Sequence, residues 1–133
     1  MYWYGTASFF NNCPSSSPGG GACGLCQSNL GGVAYPSLNG FPGDYAASCT
    51  DQFGGLPALS CGDYLPIWNQ CSNYGPLLVE IADHGPGAAC TLDNIPCGNP
   101  IGSAYRLLDL TPVSFADLGG DPNAGLVWSI FQT

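Results

Sequence analysis

Two carboxylates stand out as residues able to do chemistry. Asp83 ends the apolar run Leu77-Leu-Val-Glu-Ile-Ala82 and is followed by His84-Gly85-Pro86-Gly87, while Asp109 ends the run Tyr105-Arg-Leu-Leu108 ahead of Leu110-Thr111-Pro112. Each sits where a strand gives way to a turn or helix, the usual place for a side chain presented by a rigid scaffold. Two carboxyl groups facing one groove can share acid and base work on a glycosidic bond, provided the environment of one holds its proton. Aromatic side chains would supply the other half of such a site, because the C–H faces of sugar rings stack on exposed aromatic planes. Tyr2, Trp3, Tyr4, Phe9 and Phe10 cluster at the start of the chain, and Tyr64, Trp68, Tyr74, Tyr105 and Trp128 are spread beyond it. Most aromatics of a small β domain belong to its core, so only a few are expected in a groove.

The elements that must position these groups are short. In 133 residues there are 20 Gly and 12 Pro, which disfavours long helices and fits strands joined by many turns. Expected strands are 2–10 (with a bulge at Gly5), 60–71, 77–82, 105–110 and 125–132. Thr111-Pro112 reads as an N-cap and first helical residue of a short helix through Leu118, closed by Gly119-Gly120. Residues 11–22 form a Ser/Pro/Gly loop, and a short helix is expected near 43–48. Length and the lack of a linker predict one domain over 1–133.

Nine carboxylates stand against one Arg and no Lys, a formal net charge of -8. That balance repels nucleic acid and anionic membranes, and no apolar run approaches a transmembrane length. Hydrophobic residues reach 45%, enough for a folded core. Eight cysteines predict disulfides and an oxidising, extracellular setting; a mature chain is expected, since its opening has no signal-peptide pattern. Cys90 and Cys97 are close enough for a local bridge. Cys13, Cys26, Cys49 and Cys71 cannot be paired from sequence. The CxxC of Cys23 and Cys26 lacks the βαβ context of a redox pair and the further ligands of a zinc site, so neither metal nor cofactor is expected. His84, the lone His, reads as a turn residue before it reads as a catalyst.

Four ordered segments resemble the double-psi β-barrels of expansins, loosenins, barwin-like proteins, RlpA-type proteins and family 45 cellulases. Ala7-Ser8-Phe9-Phe10 with Gly20-Gly21-Ala22-Cys23-Gly24 is similar to the expansin opening, and Ser60-Cys61-Gly62 to its S-C-G segment. Ile81-Ala82-Asp83-His84-Gly85-Pro86 and Leu107-Leu108-Asp109-Leu110-Thr111-Pro112-Val113-Ser114-Phe115 are similar to the two segments carrying the family's acidic residues. Residues 27–58 match weakly. The resemblance implies a mainly β fold: a six-stranded double-psi barrel with one or two short helices, stapled by disulfides that include Cys23–Cys61. It implies Asp109 as the acid, Asp83 as its support, and Trp3, Tyr4, Ser8 and Phe10 as substrate-binding residues. Residues 1–12 hold no carboxylate, whereas the hydrolytic members carry their base there. The expectation is therefore a secreted monomer that binds and loosens cellulose, chitin or a related wall polysaccharide without net hydrolysis. Two alternatives stand: an endoglucanase or peptidoglycan-cleaving lytic transglycosylase using Asp109, and a non-enzymatic effector or cysteine-protease inhibitor.

Overall fold

The computed structural model describes residues 2–41, 56–69, 71–72, 74–85, 106–120 and 127–132; the side chains of Tyr2, Tyr4, Arg106, Leu107 and residues 127–132 are not among those described. Six strands and one helix follow in chain order: β1 Tyr2–Phe9, β2 Val33–Tyr35, β3 Tyr64–Asn69, β4 Leu77–His84, β5 Arg106–Leu110, α1 Pro112–Asp117 and β6 Val127–Gln132. The strands close into a barrel in the order β1-β5-β2-β4-β3-β6. β1 runs parallel to β5 and β2 parallel to β4, while the other four pairings are antiparallel. Closure leaves no sheet edge to protect.

The interior follows from strand alternation. In β3 Leu65 and Ile67 are buried while Tyr64 is exposed, and in β4 Val79 and Ile81 are buried while Leu78 is exposed. Phe9, Leu110, Val33 and Ile81 are register neighbours across four strands and form one layer of the core. The expected bulge at Gly5 is displaced: Gly5 stays in register with Ser129, and the irregularity falls between Thr6 and Ala7, against β5.

β2 went unforeseen, and the helix expected near 43–48 lies outside the described residues. Three residues are too few to show a period, and Pro36 ends the strand at once. What holds β2 in place comes from the distant 111–114 segment. Thr111 occupies the N-cap position and Pro112 the first turn, but the Thr111 hydroxyl does not cap the helix; it donates to the Leu30 carbonyl at 2.7 Å. The Thr111 amide donates to the Gly32 carbonyl, and the Gly32 amide donates to Ser114 Oγ at 2.9 Å. Phe115 packs on Phe9 with ring centroids 5.0 Å apart. Tyr35 is buried, its phenol donates to the Pro57 carbonyl at 2.7 Å, and burial pushes its pKa upward.

Ser114→Ala is expected to cost about 1–3 kcal/mol, because it strands the buried Gly32 amide. Chemical denaturation should show the loss, and Ser114→Thr, which keeps the hydroxyl, should lose less.

Among the described residues, two disulfides staple the loops between strands. Cys23 is bonded to Cys61, the pairing the family resemblance implied, and Cys13 to Cys26, which sequence had left open. The CxxC cysteines thus take different partners. Cys71 is also disulfide-bonded, to a residue outside the described ones. Cys49, Cys90 and Cys97 lie outside the described residues.

Candidate functional site

β2 is the divider of the site. Ala34 is in register with Asp109 on one side and Asp83 on the other, so the two carboxylates flank a residue with almost no side chain. Two strand spacings separate their Cα atoms by roughly 10 Å. One strand further, Ser8 of β1 is in register with Asp109, and its hydroxyl donates to Asp109 Oδ1 at 2.9 Å. Ser8, Asp109 and Asp83 are all half-buried, while the neighbours Ala7, Leu108 and Leu110 are buried. Asp109 lies within β5, two residues before the N-cap of α1, so it does not cap that helix.

The two carboxylates are held differently. Asp109 leans toward β1, on the side of β5 away from Asp83. Asp83 Oδ1 accepts the backbone amides of Ala22 at 2.7 Å and His84 at 2.8 Å. Its carboxyl group also lies against Gly21, where an added Cβ would fall 2.7 Å from Cγ and the φ of +73° disfavours any side chain. Asp83 therefore anchors the 20–26 loop, whose Cys23 and Cys26 carry both described staples. The Cys13 and Cys26 sulfurs lie within 4.8 Å of the Asp83 carboxylate, but they are bonded to each other and offer no thiolate to a metal. His84 is half-buried, with Nε2 3.2 Å from the Pro36 carbonyl and its ring 5.7 Å from that of Phe41.

Asp83→Ala is expected to destabilise the fold by about 2 kcal/mol, through two amides losing a charged acceptor. Gly21→Ala should act in the same direction by pushing on that carboxylate. Proteolysis between Cys13 and Cys26 would report the loosened loop, and an unchanged cleavage rate in both variants would contradict the anchoring role.

The aromatic expectations divide. Trp3 is corrected: it is fully buried in the barrel, so its ring has no face for a sugar. β1 is paired on both sides, and the bulky indole fills the interior. Tyr4 is in register with Ile130, and nothing further is described of its side chain. Phe10, half-buried, follows β1 directly, and its amide donates to the Leu110 carbonyl at 2.9 Å, which leaves it next to the Ser8–Asp109 pair. Ala34 was not foreseen as part of the site. Only its register shows its place.

No family model matches the chain, and no curated protein does. Among solved structures it is similar to a point mutant of the Clavibacter michiganensis expansin in complex with cellohexaose. The TM-score is 0.52 at 20% identity, covering 100% of this chain and 50% of that one. The chain has the expansin-type double-psi barrel fold. The apo form of the same expansin is also similar, with a TM-score of 0.47 at 21% identity and the same coverage. The chain thus spans half the length of the expansin it matches. In this barrel the Ser8–Asp109 pair and Asp83 occupy strands joined through β2, and the loops stapled by Cys23–Cys61 border Asp83.

Proposed function

We propose that this chain is a secreted protein that binds cell-wall polysaccharide, cellulose or a related glucan or chitin, and loosens it without net hydrolysis. The observation that carries the reading is that Asp83, the second carboxylate, is taken up by the backbone amides of its own loop region. A glycoside hydrolase needs an acid and a base or nucleophile converging on one bond. Here Asp109 is drawn to Ser8 on β1, and Asp83 is occupied by the amides of Ala22 and His84. Such a pair can hydrogen-bond sugar hydroxyls along a chain, with Asp109 as the strong acceptor, but does not pair for hydrolysis. The expansin fold, and the cellohexaose bound by the expansin of that fold, support a polysaccharide ligand. The disulfides support an oxidising, extracellular setting.

The test is depletion of the protein from solution by insoluble cellulose, chitin and peptidoglycan. Uptake by cellulose or chitin is expected. Uptake by peptidoglycan alone, with cleavage, would favour a lytic transglycosylase, which needs only the one residue Asp109 because its substrate supplies the nucleophile. Inhibition of a papain-like protease without any polysaccharide uptake would replace both readings.

A further inference from the structure

Beyond Asp83, β4 continues into a wall whose outward residues belong to no core. Tyr64 of β3 is in register with Glu80, and Pro66 with Leu78. Tyr64 is 63% exposed and Leu78 64% exposed, whereas the alternate residues Leu65 and Val79 are buried. Leu78 stands diagonally across from Tyr64, about 7–8 Å away, close enough for the two side chains to form one surface. The Tyr64 hydroxyl donates to Glu80 Oε2 at 3.4 Å, which biases the ring toward lying along the sheet. Single exposed hydrophobics are ordinary, but two adjoining ones, one of them a tethered ring, make a platform.

We propose that this platform is a second sugar-stacking position, taking a neutral β-linked polysaccharide chain, with Tyr64 and Leu78 under the ring and Glu80 accepting from a hydroxyl. The inference rests on the polysaccharide reading above and adds a place and residues to it. Continuity with Asp83 is the first argument. Glu80 precedes Asp83 by three residues on β4, and the 61–63 turn lies between Tyr64 and the Asp83 region. The Gly62 amide donates to the Ile81 carbonyl, the Ile81 amide to the Asp63 carbonyl, and Cys61 is bonded to Cys23 beside Ala22, whose amide is held by Asp83. The surface from Asp83 to Tyr64 is therefore one rigid wall.

Size and charge give the second argument. Two exposed side chains fall well short of the roughly 800 Å² per partner of a standard protein interface, but match a narrow ligand. The platform holds no cation, and a chain with a net charge of -8 disfavours anionic ligands. The apolar face and hydroxyl rim of a pyranose fit a ring flanked by a carboxylate.

The experiment is titration of cellohexaose into the intact protein and its Tyr64→Ala, Tyr64→Trp and Asp109→Asn variants. Melting curves would verify the fold, which an exposed Tyr64 should barely affect. Tyr64→Ala is expected to weaken binding roughly three- to tenfold, and Tyr64→Trp to retain it, on the scale of one aromatic stacking contact. Tyr64→Ala binding as tightly as the wild type, with Asp109→Asn still impaired, would overturn this position and leave the proposed function standing. No binding by the wild type of either cellohexaose or a chitin hexamer titrated in parallel would overturn both. A concentration-dependent dimer in sedimentation, abolished by Tyr64→Ala, would assign the platform to a second copy of the chain and overturn the inference.

Discussion

Asp109→Asn is expected to lower polysaccharide binding and wall loosening roughly 10- to 100-fold, the equivalent of one lost hydrogen bond to a charged acceptor. The fold should survive the change. Asn keeps an oxygen where Asp109 Oδ1 accepts the Ser8 hydroxyl, and the residue is half-buried beside a barrel layer that does not depend on its charge. What disappears is the carboxylate, whose bonds to hydroxyl donors are about twice as strong as neutral ones. Ser8→Ala should cost less, since it removes only the group that orients the carboxylate. The check is binding to insoluble cellulose beside creep of a stretched wall strip, with melting curves as the control for folding. Loosening by Asp109→Asn at the wild-type rate would remove Asp109 from the site.

The second large effect concerns stability. Replacing Cys23 and Cys61 together by Ser opens a loop closed across a sequence separation of 38 residues. Chain entropy alone then predicts a loss of about 4 kcal/mol, against about 3 kcal/mol for the shorter Cys13–Cys26 loop. A domain of this kind has roughly 5–15 kcal/mol in total, so the loss is a large fraction of it and should lower Tm by roughly 10–20 °C. Function should fall with it, because the Cys23–Cys61 bond holds the Asp83-bound loop against the turn before Tyr64. Thermal unfolding without reductant measures this. A drop of only a few degrees would mean that the barrel does not need the staple.

The strands that carry the carboxylates were legible in sequence because they are long apolar runs ending in turn residues. β4 and β5 fall within two residues of their expected bounds, and α1 follows the Thr-Pro signal. Less legible was everything that depends on distant pairing. β2 is three residues long, yet it sets the spacing of Asp83 and Asp109 through Ala34, and its position is fixed by Thr111 and Ser114 about 80 residues later. Thr111 shows the same limit on a smaller scale: its place at the helix start was readable, but its hydroxyl is used by Leu30. Trp3 illustrates the ambiguity of aromatics. A bulky ring in an opening strand suits a groove or a core equally in sequence, and only closure of the barrel around it decides for the core. Asp83 was legible as a carboxylate at a strand end, while its anchoring of Ala22 across 61 positions was not.

Whether bonds are cut during loosening is the most direct test of the account. Reducing ends should be counted in the same cellulose or chitin sample whose weakening is followed mechanically. Weakening by the wild-type protein with no reducing ends above the buffer blank is the predicted result. Reducing ends that accumulate with the wild type and vanish with Asp109→Asn would contradict it, and would make Asp109 the acid of a hydrolase.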